Sequence, residues 1–108
     1  MRVLFDQGTP VPLRSFLVDH DVDTAFEKGW QTLANGELLA RAETAGYAAI
    51  VTTDRNLRYQ QNLTGRQLAI LVLMTTDWRL LKLHTDGIAA AVDGLVAGAY
   101  KELSFPRG

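Results

Sequence analysis

Three aspartates each close a short apolar run: Asp6 after Val3, Leu4 and Phe5, Asp54 after Ala48 to Val51 and a Thr-Thr pair, and Asp77 after Leu68 to Met74 and a second Thr-Thr pair. Carboxylates gathered without matching lysines repel one another, so such a group makes sense chiefly around a cation. Oxygen donors select Mg2+ or Mn2+; neither His20 nor His84 lies at zinc spacing from a second ligand, and the chain has no cysteine. A magnesium ion held by carboxylates, water and a substrate phosphate suits phosphodiester chemistry, because it lowers the pKa of bound water and neutralises charge on the phosphate. Asn35 and Glu37, at the start of a helix entered from the same edge, join the candidate ligands. Asp6, Glu37 and Asp54 are the candidate catalytic acids. Asp77 is peripheral, with a second reading as the cap of whatever Trp78 begins.

The residues after Asp54 are polar without being loop-like. Arg55, Asn56, Leu57, Arg58, Tyr59, Gln60, Gln61 and Asn62 include two arginines, a tyrosine and four amides, but no Gly or Pro. Such a surface suits a partner carrying phosphates and bases, with Arg55, Arg58, Tyr59 and Asn62 as the RNA-contacting candidates. Helical spacing places Arg55, Arg58 and Asn62 together, with Leu57 and Gln61 on another side, and predicts that the arginine face borders the acidic pocket.

The elements that must position these groups alternate. Val3 to Phe5, Val22 to Ala25, Ala48 to Val51, Leu68 to Met74 and Tyr100 to Phe105 read as strands. Thr9 and Pro10 open a helix carrying Leu13, Phe16 and Leu17 on one face. Asn35 caps a second helix, with Leu38, Leu39, Ala42 and Ala45 inward and Gly46 as its stop, and Thr85 opens a third through Ile88, Val92 and Leu95. Strands alternating with helices predict an α/β sandwich with parallel core strands joined by right-handed crossovers. Ligands on such sheets bind at the strands' carboxyl ends, where the strand order reverses.

At 108 residues with no long linker or repeat, the chain reads as a single domain, residues 1–108. Its formal net charge of −1 means that any nucleic-acid contact must use a local patch rather than a broadly basic surface. The lack of cysteine, of a secretory hydrophobic region and of a membrane-length apolar run leads to the expectation of a cytoplasmic protein without membrane contact. No nucleophile elbow, phosphate-cradling glycine loop before a lysine, or dinucleotide fingerprint is present, which disfavours serine-type hydrolases, nucleotide kinases and dehydrogenases.

Val3-Leu4-Phe5-Asp6 with Pro10, then Asn35-Gly36-Glu37-Leu38-Leu39 with Ala42, then Val51 to Leu57 and the run Asn56 to Leu63, together resemble the PIN-like domains of bacteria. The branch in question is the short one associated with toxin–antitoxin pairs. The resemblance spans nearly the whole chain and implies a three-layer α/β/α sandwich with a mainly parallel central sheet. It also implies a metal-dependent endoribonuclease (a hydrolase acting on phosphodiester bonds), with RNA as substrate and a cognate antitoxin as partner. A homodimer is compatible with it. The sequence departs from that pattern at Gln7, where many relatives carry an acid, at Asn35, where Asp is common, and at Asn56, where Asp is usual. Amides can bind magnesium or its waters but add no charge and cannot act as a base. The alternatives are a catalytically degenerate PIN-like module binding RNA or a partner protein, and a receiver-type phosphoacceptor using Asp54 and Lys82.

Overall fold

Two runs of β-branched and small apolar residues, Ala49-Ile50-Val51-Thr52 and Ala69-Ile70-Leu71-Val72-Leu73, are buried at every position, as expected of central strands covered on both faces. A computed structural model describes residues 1–106 and places them as β3 (Ala49–Thr52) and β4 (Ala69–Leu73) of a five-stranded sheet. The other strands are β1 (Arg2–Phe5), β2 (Asp21–Thr24) and β5 (Tyr100–Leu103). All pairings are parallel, in the order β2-β1-β3-β4-β5. The two outer strands carry charged residues, which blunts their unpaired edges.

Alternation along the strands divides the core in two. Leu4, Ile50, Ile70 and Val72 pack with Leu38, Leu39 and Ala42 of α1 (Asn35–Thr44) and Leu57 of α2 (Leu57–Gln60). Val3, Phe5, Val51, Leu71 and Leu73 pack on the other face with Leu13 of a 3-10 turn (Val11–Phe16), Leu81 of α3 (Trp78–Leu81), and Ile88 and Val92 of α4 (Thr85–Asp93). The result is a three-layer α/β/α sandwich.

Contrary to the expectation of right-handed connections throughout, the crossovers do not all share one hand. Those from β2 to β3 and from β3 to β4 step the same way along the sheet over the α1/α2 face. The one from β4 to β5 steps the same way but runs over the opposite face, so its hand is reversed. The first crossover, over that opposite face but stepping the other way, agrees with the two through α1 and α2. These three therefore share one hand and the last has the other. The physical reason lies in the first crossover, where a six-residue 3-10 turn stands in place of the expected helix and leaves most of its face bare. Helix α4 covers that face with Ile88, Ala91 and Val92, followed by Leu95 just past its end, and their burial stabilises the arrangement.

Three local expectations are also corrected. Thr9 does not cap a helix; Pro10 holds that place, and the Thr9 side chain turns inward. Asn35 does not cap α1 but is its first residue, after Ala34, and its amide is drawn to Asp54. The polar run makes only one helical turn, because Gln61 is already extended (φ −126°, ψ 140°). His20 links two distant segments: Nδ1 lies 3.2 Å from the Met1 amine and Nε2 2.6 Å from Asp93 Oδ1.

Candidate functional site

The strand order reverses between β1 and β3, since the chain leaves β1 to one side and returns on the other. At this switch point Phe5 is level with Val51, so the residues that follow, Asp6 and Thr52, emerge side by side. The Thr52 hydroxyl donates to Asp6 Oδ2 in a short hydrogen bond and accepts the Asp54 N–H at 3.0 Å. Asp54 in turn accepts from the Asn56 N–H through Oδ1 (3.0 Å) and from the Asn35 amide through Oδ2 (2.5 Å). One continuous line of hydrogen bonds therefore crosses the carboxyl edge from Asp6 to the start of α1.

The Asp6 end of the line is short of a proton when its carboxyl group is ionised. Thr9 Oγ1 lies 2.7 Å from Asp6 Oδ1 and 2.8 Å from the Val51 carbonyl oxygen, yet a hydroxyl has one proton for two acceptors. A proton on Asp6 Oδ1 would satisfy both, with the carboxyl donating to Thr9 and Thr9 to Val51. Burial likewise pushes the Asp6 carboxyl above its usual value, against the opposing effect of hydrogen bonds from Thr52, Thr9 and Gly8.

Two clefts flank the line. The one beside Asp6 measures about 350 Å3 and includes Arg14, Phe26 and Glu27. Its cation is already engaged, for Arg14 pairs with Glu27 at 2.6 Å, an arrangement that holds the Glu27 carboxyl below its usual range together with the Thr24 N–H. The other cleft, about 570 Å3, lies beyond β3, β4 and β5 and contains Arg55.

The remaining predicted residues are dispersed. Glu37 is exposed and shares a groove with Ala40, Arg41 and Thr44 along α1. Among the described residues no three His, Cys, Asp or Glu side chains stand close enough together to hold a metal ion. Asp77 caps α3 by accepting the Arg79 N–H at 3.0 Å, and so takes its structural reading. Arg58 donates to the Tyr59 hydroxyl (2.5 Å) and pairs with Glu102 (3.5 Å) across on β5, while Arg55 borders the larger cleft. Tyr59 is largely exposed, and Asn62 lies past the helical turn, where Oδ1 accepts the Thr64 N–H.

Thr9 and Thr52, both buried, are the site residues that sequence reasoning passed over. Thr52 carried a visible signal, a hydroxyl two residues before a strand-end aspartate. Thr9 carried one as well, but its position before Pro10 fitted an N-cap equally well. The fold and this edge define a class, an all-parallel α/β/α domain with a hydroxyl joining two aspartates at its switch point. Beyond that class, no family model, no curated protein and no solved structure matches the chain.

Proposed function

We propose that this chain is a metal-dependent endoribonuclease of PIN-like type that serves as the toxin of a toxin–antitoxin pair in the cytoplasm. The observation that carries the reading is the joining of Asp6 and Asp54 through the single Thr52 hydroxyl at the switch point, where parallel α/β sheets place their ligands. The donor set fits Mg2+ or Mn2+: it consists of hard oxygens, and magnesium is commonly held by one or two carboxylates, with water and substrate phosphate completing its shell. Asp6 and Asp54 would hold the ion. When bound, it would supply a low-pKa water and charge neutralisation at the phosphate. Thr52 fixes the Asp6 carboxylate, while the Asn35 amide and the Asn56 N–H fix that of Asp54, so both carboxylates are oriented before any ligand arrives.

One observation favours the degenerate module. Asn35 and Asn56 stand where the resemblance calls for acids, and Glu37 lies on the outer side of α1. By contrast, the receiver-type reading has little support, since Lys82 sits in the exposed turn that follows α3. Among the described residues no helix is long and apolar enough to cross a membrane.

The test is cleavage of a mixed RNA pool by purified protein, free of any antitoxin, with magnesium, manganese or chelator. The nuclease reading expects metal-dependent cleavage that Asp54→Asn abolishes. Cleavage that survives chelator or the substitution would overturn the metal mechanism, and no cleavage under any metal would favour the binding module. A neighbouring gene for a small DNA-binding protein would support the toxin assignment.

A further inference from the structure

The cleft at the carboxyl ends of β3, β4 and β5 exists because these strands are staggered. Thr52, the last residue of β3, is level with Val72, so β4 runs on past it through Leu73. Met74, Thr75 and Thr76 then stand above the end of β3 as one wall, and Ser104 and Phe105 continue β5 as the other. Arg55 enters from the β3 side, and Leu80 of α3 contributes to the apolar lining with Met74 and Phe105.

The cleft's chemistry is one-sided. Among the described residues its polar lining consists of hydroxyls and a single guanidinium, with no carboxylate. Every other arginine among the described residues is engaged. Arg2 bonds the Ala45 carbonyl, Arg14 pairs with Glu27, Arg41 lies over the Trp30 ring, Arg58 and Arg66 pair with Glu102 and Glu43, and Arg79 pairs with Asp77. Arg55 has no hydrogen-bond or ion-pair partner among the described residues. The Thr53, Thr76 and Ser104 hydroxyls also lack one, while Thr75 accepts the Asp77 N–H and keeps its own proton to donate.

An unpaired guanidinium beside hydroxyl donors matches a phosphate, and an apolar lining beside it matches a flat ring. We propose that this cleft seats a nucleotide, free or as one unit of an RNA strand, with its phosphate on Arg55 and the threonine hydroxyls and its base against Met74, Leu80 and Phe105. The seat stands whether or not the acidic line cleaves. Because Thr53 and Arg55 flank Asp54 in the chain, a strand held here would run beside that line.

The experiment is calorimetric titration of the full chain in chelator, where cleavage cannot interfere. The probes are AMP, adenosine, inorganic phosphate and a six-nucleotide RNA. AMP is expected to bind more tightly than either adenosine or phosphate alone, with amide NMR shifts centred on Thr75, Thr76 and Ser104 rather than on Asp6 and Thr9. Arg55→Ala should weaken AMP about tenfold, the scale of one charge-assisted contact. Arg41→Ala, which removes a cation of α1 that lies over the Trp30 ring, should leave AMP affinity unchanged. With the RNA, Arg55→Ala should lower the salt slope by about one. RNA binding without AMP binding would identify the strand as the source of the nucleotide, provided that Arg55→Ala weakens it. The proposal is overturned if no phosphorylated probe binds, if adenosine binds as well as AMP, or if Arg55→Ala and Arg41→Ala act equally. Since Arg55 is exposed, its replacement leaves the core intact, and a thermal melt matching the wild type confirms this.

Discussion

The carboxyl ends of adjacent parallel strands β3 and β4 carry the same tripeptide with the same local hydrogen bonds, yet the two ends do different work. In Thr52-Thr53-Asp54 the aspartate N–H bonds the first threonine hydroxyl at 3.0 Å, and in Thr75-Thr76-Asp77 at 3.1 Å. Each aspartate Oδ1 then accepts the N–H two residues on, from Asn56 and from Arg79, both at 3.0 Å. This is the ordinary local chemistry of Thr and Asp at turns. What differs is the surroundings. Thr52 is buried against Asp6, and Asp54 Oδ2 receives the Asn35 amide, whereas Asp77 caps α3 and pairs with Arg79. The stagger of the strands decides this, since β4 continues past the level of Asp6 before its own Thr-Thr-Asp begins. Identical tripeptides thus give a candidate site at one end and a helix start at the other.

Substituting the two aspartates tests the contrast most strongly. If the nuclease proposal holds, Asp54→Asn should lower cleavage by about 100-fold or more, the scale on which metal shells and acid–base groups act. Asp77→Asn should leave cleavage unchanged, because asparagine caps a helix about as well. Equal losses of activity from the two variants would erase the distinction.

The first threonines give the next effect. Thr52→Val leaves Asp6 Oδ2 and the Asp54 N–H without their partner in a buried place, so it should cost about 2–3 kcal/mol in urea unfolding. Thr75→Val deprives only the Asp77 N–H, at a position partly open to water, and should cost under about 1 kcal/mol. Similar costs would show that burial does not separate the two ends.

The Asp6 carboxyl, which only the first tripeptide touches, gives a pH dependence. Its folded-state pKa is raised above 3.8, so the folded protein holds that proton more tightly than the unfolded chain does. The resulting stability is full below the unfolded value and is lost as pH rises through the folded one. In metal-free protein, Asp6→Asn should therefore gain on the wild type as pH rises from about 4, read from urea midpoints. Parallel curves for the two proteins would remove the proton from this site.

The smallest effect concerns the second threonine of the first tripeptide. A Cβ added at Gly8 would meet Thr53 Oγ1 at 2.6 Å, so Gly8→Ala should cost about 1 kcal/mol through overpacking. Thr53→Ala should restore most of that loss in the double variant. A double variant as unstable as Gly8→Ala would place the strain elsewhere.

The sequence by itself determined the strands, the stop of α1 at Gly46 and the gathering of Asp6 and Asp54 at one edge, because these follow from short apolar runs, a left-handed backbone position (φ +90°) and the direction of parallel strands. For Asp77 it offered the cap only as a second reading beside that of a peripheral acid. It could not show that the 3-10 turn is too short to cover its face, so the reversed last crossover was not legible, nor that Arg58 finds Glu102 on β5 while Arg55 finds no partner. Those outcomes depend on register and on which residues from distant segments arrive together. Thr9 illustrates the reason: beside a proline its hydroxyl suits an N-cap, and only the packing of β1 against β3 brings the Val51 carbonyl within its reach.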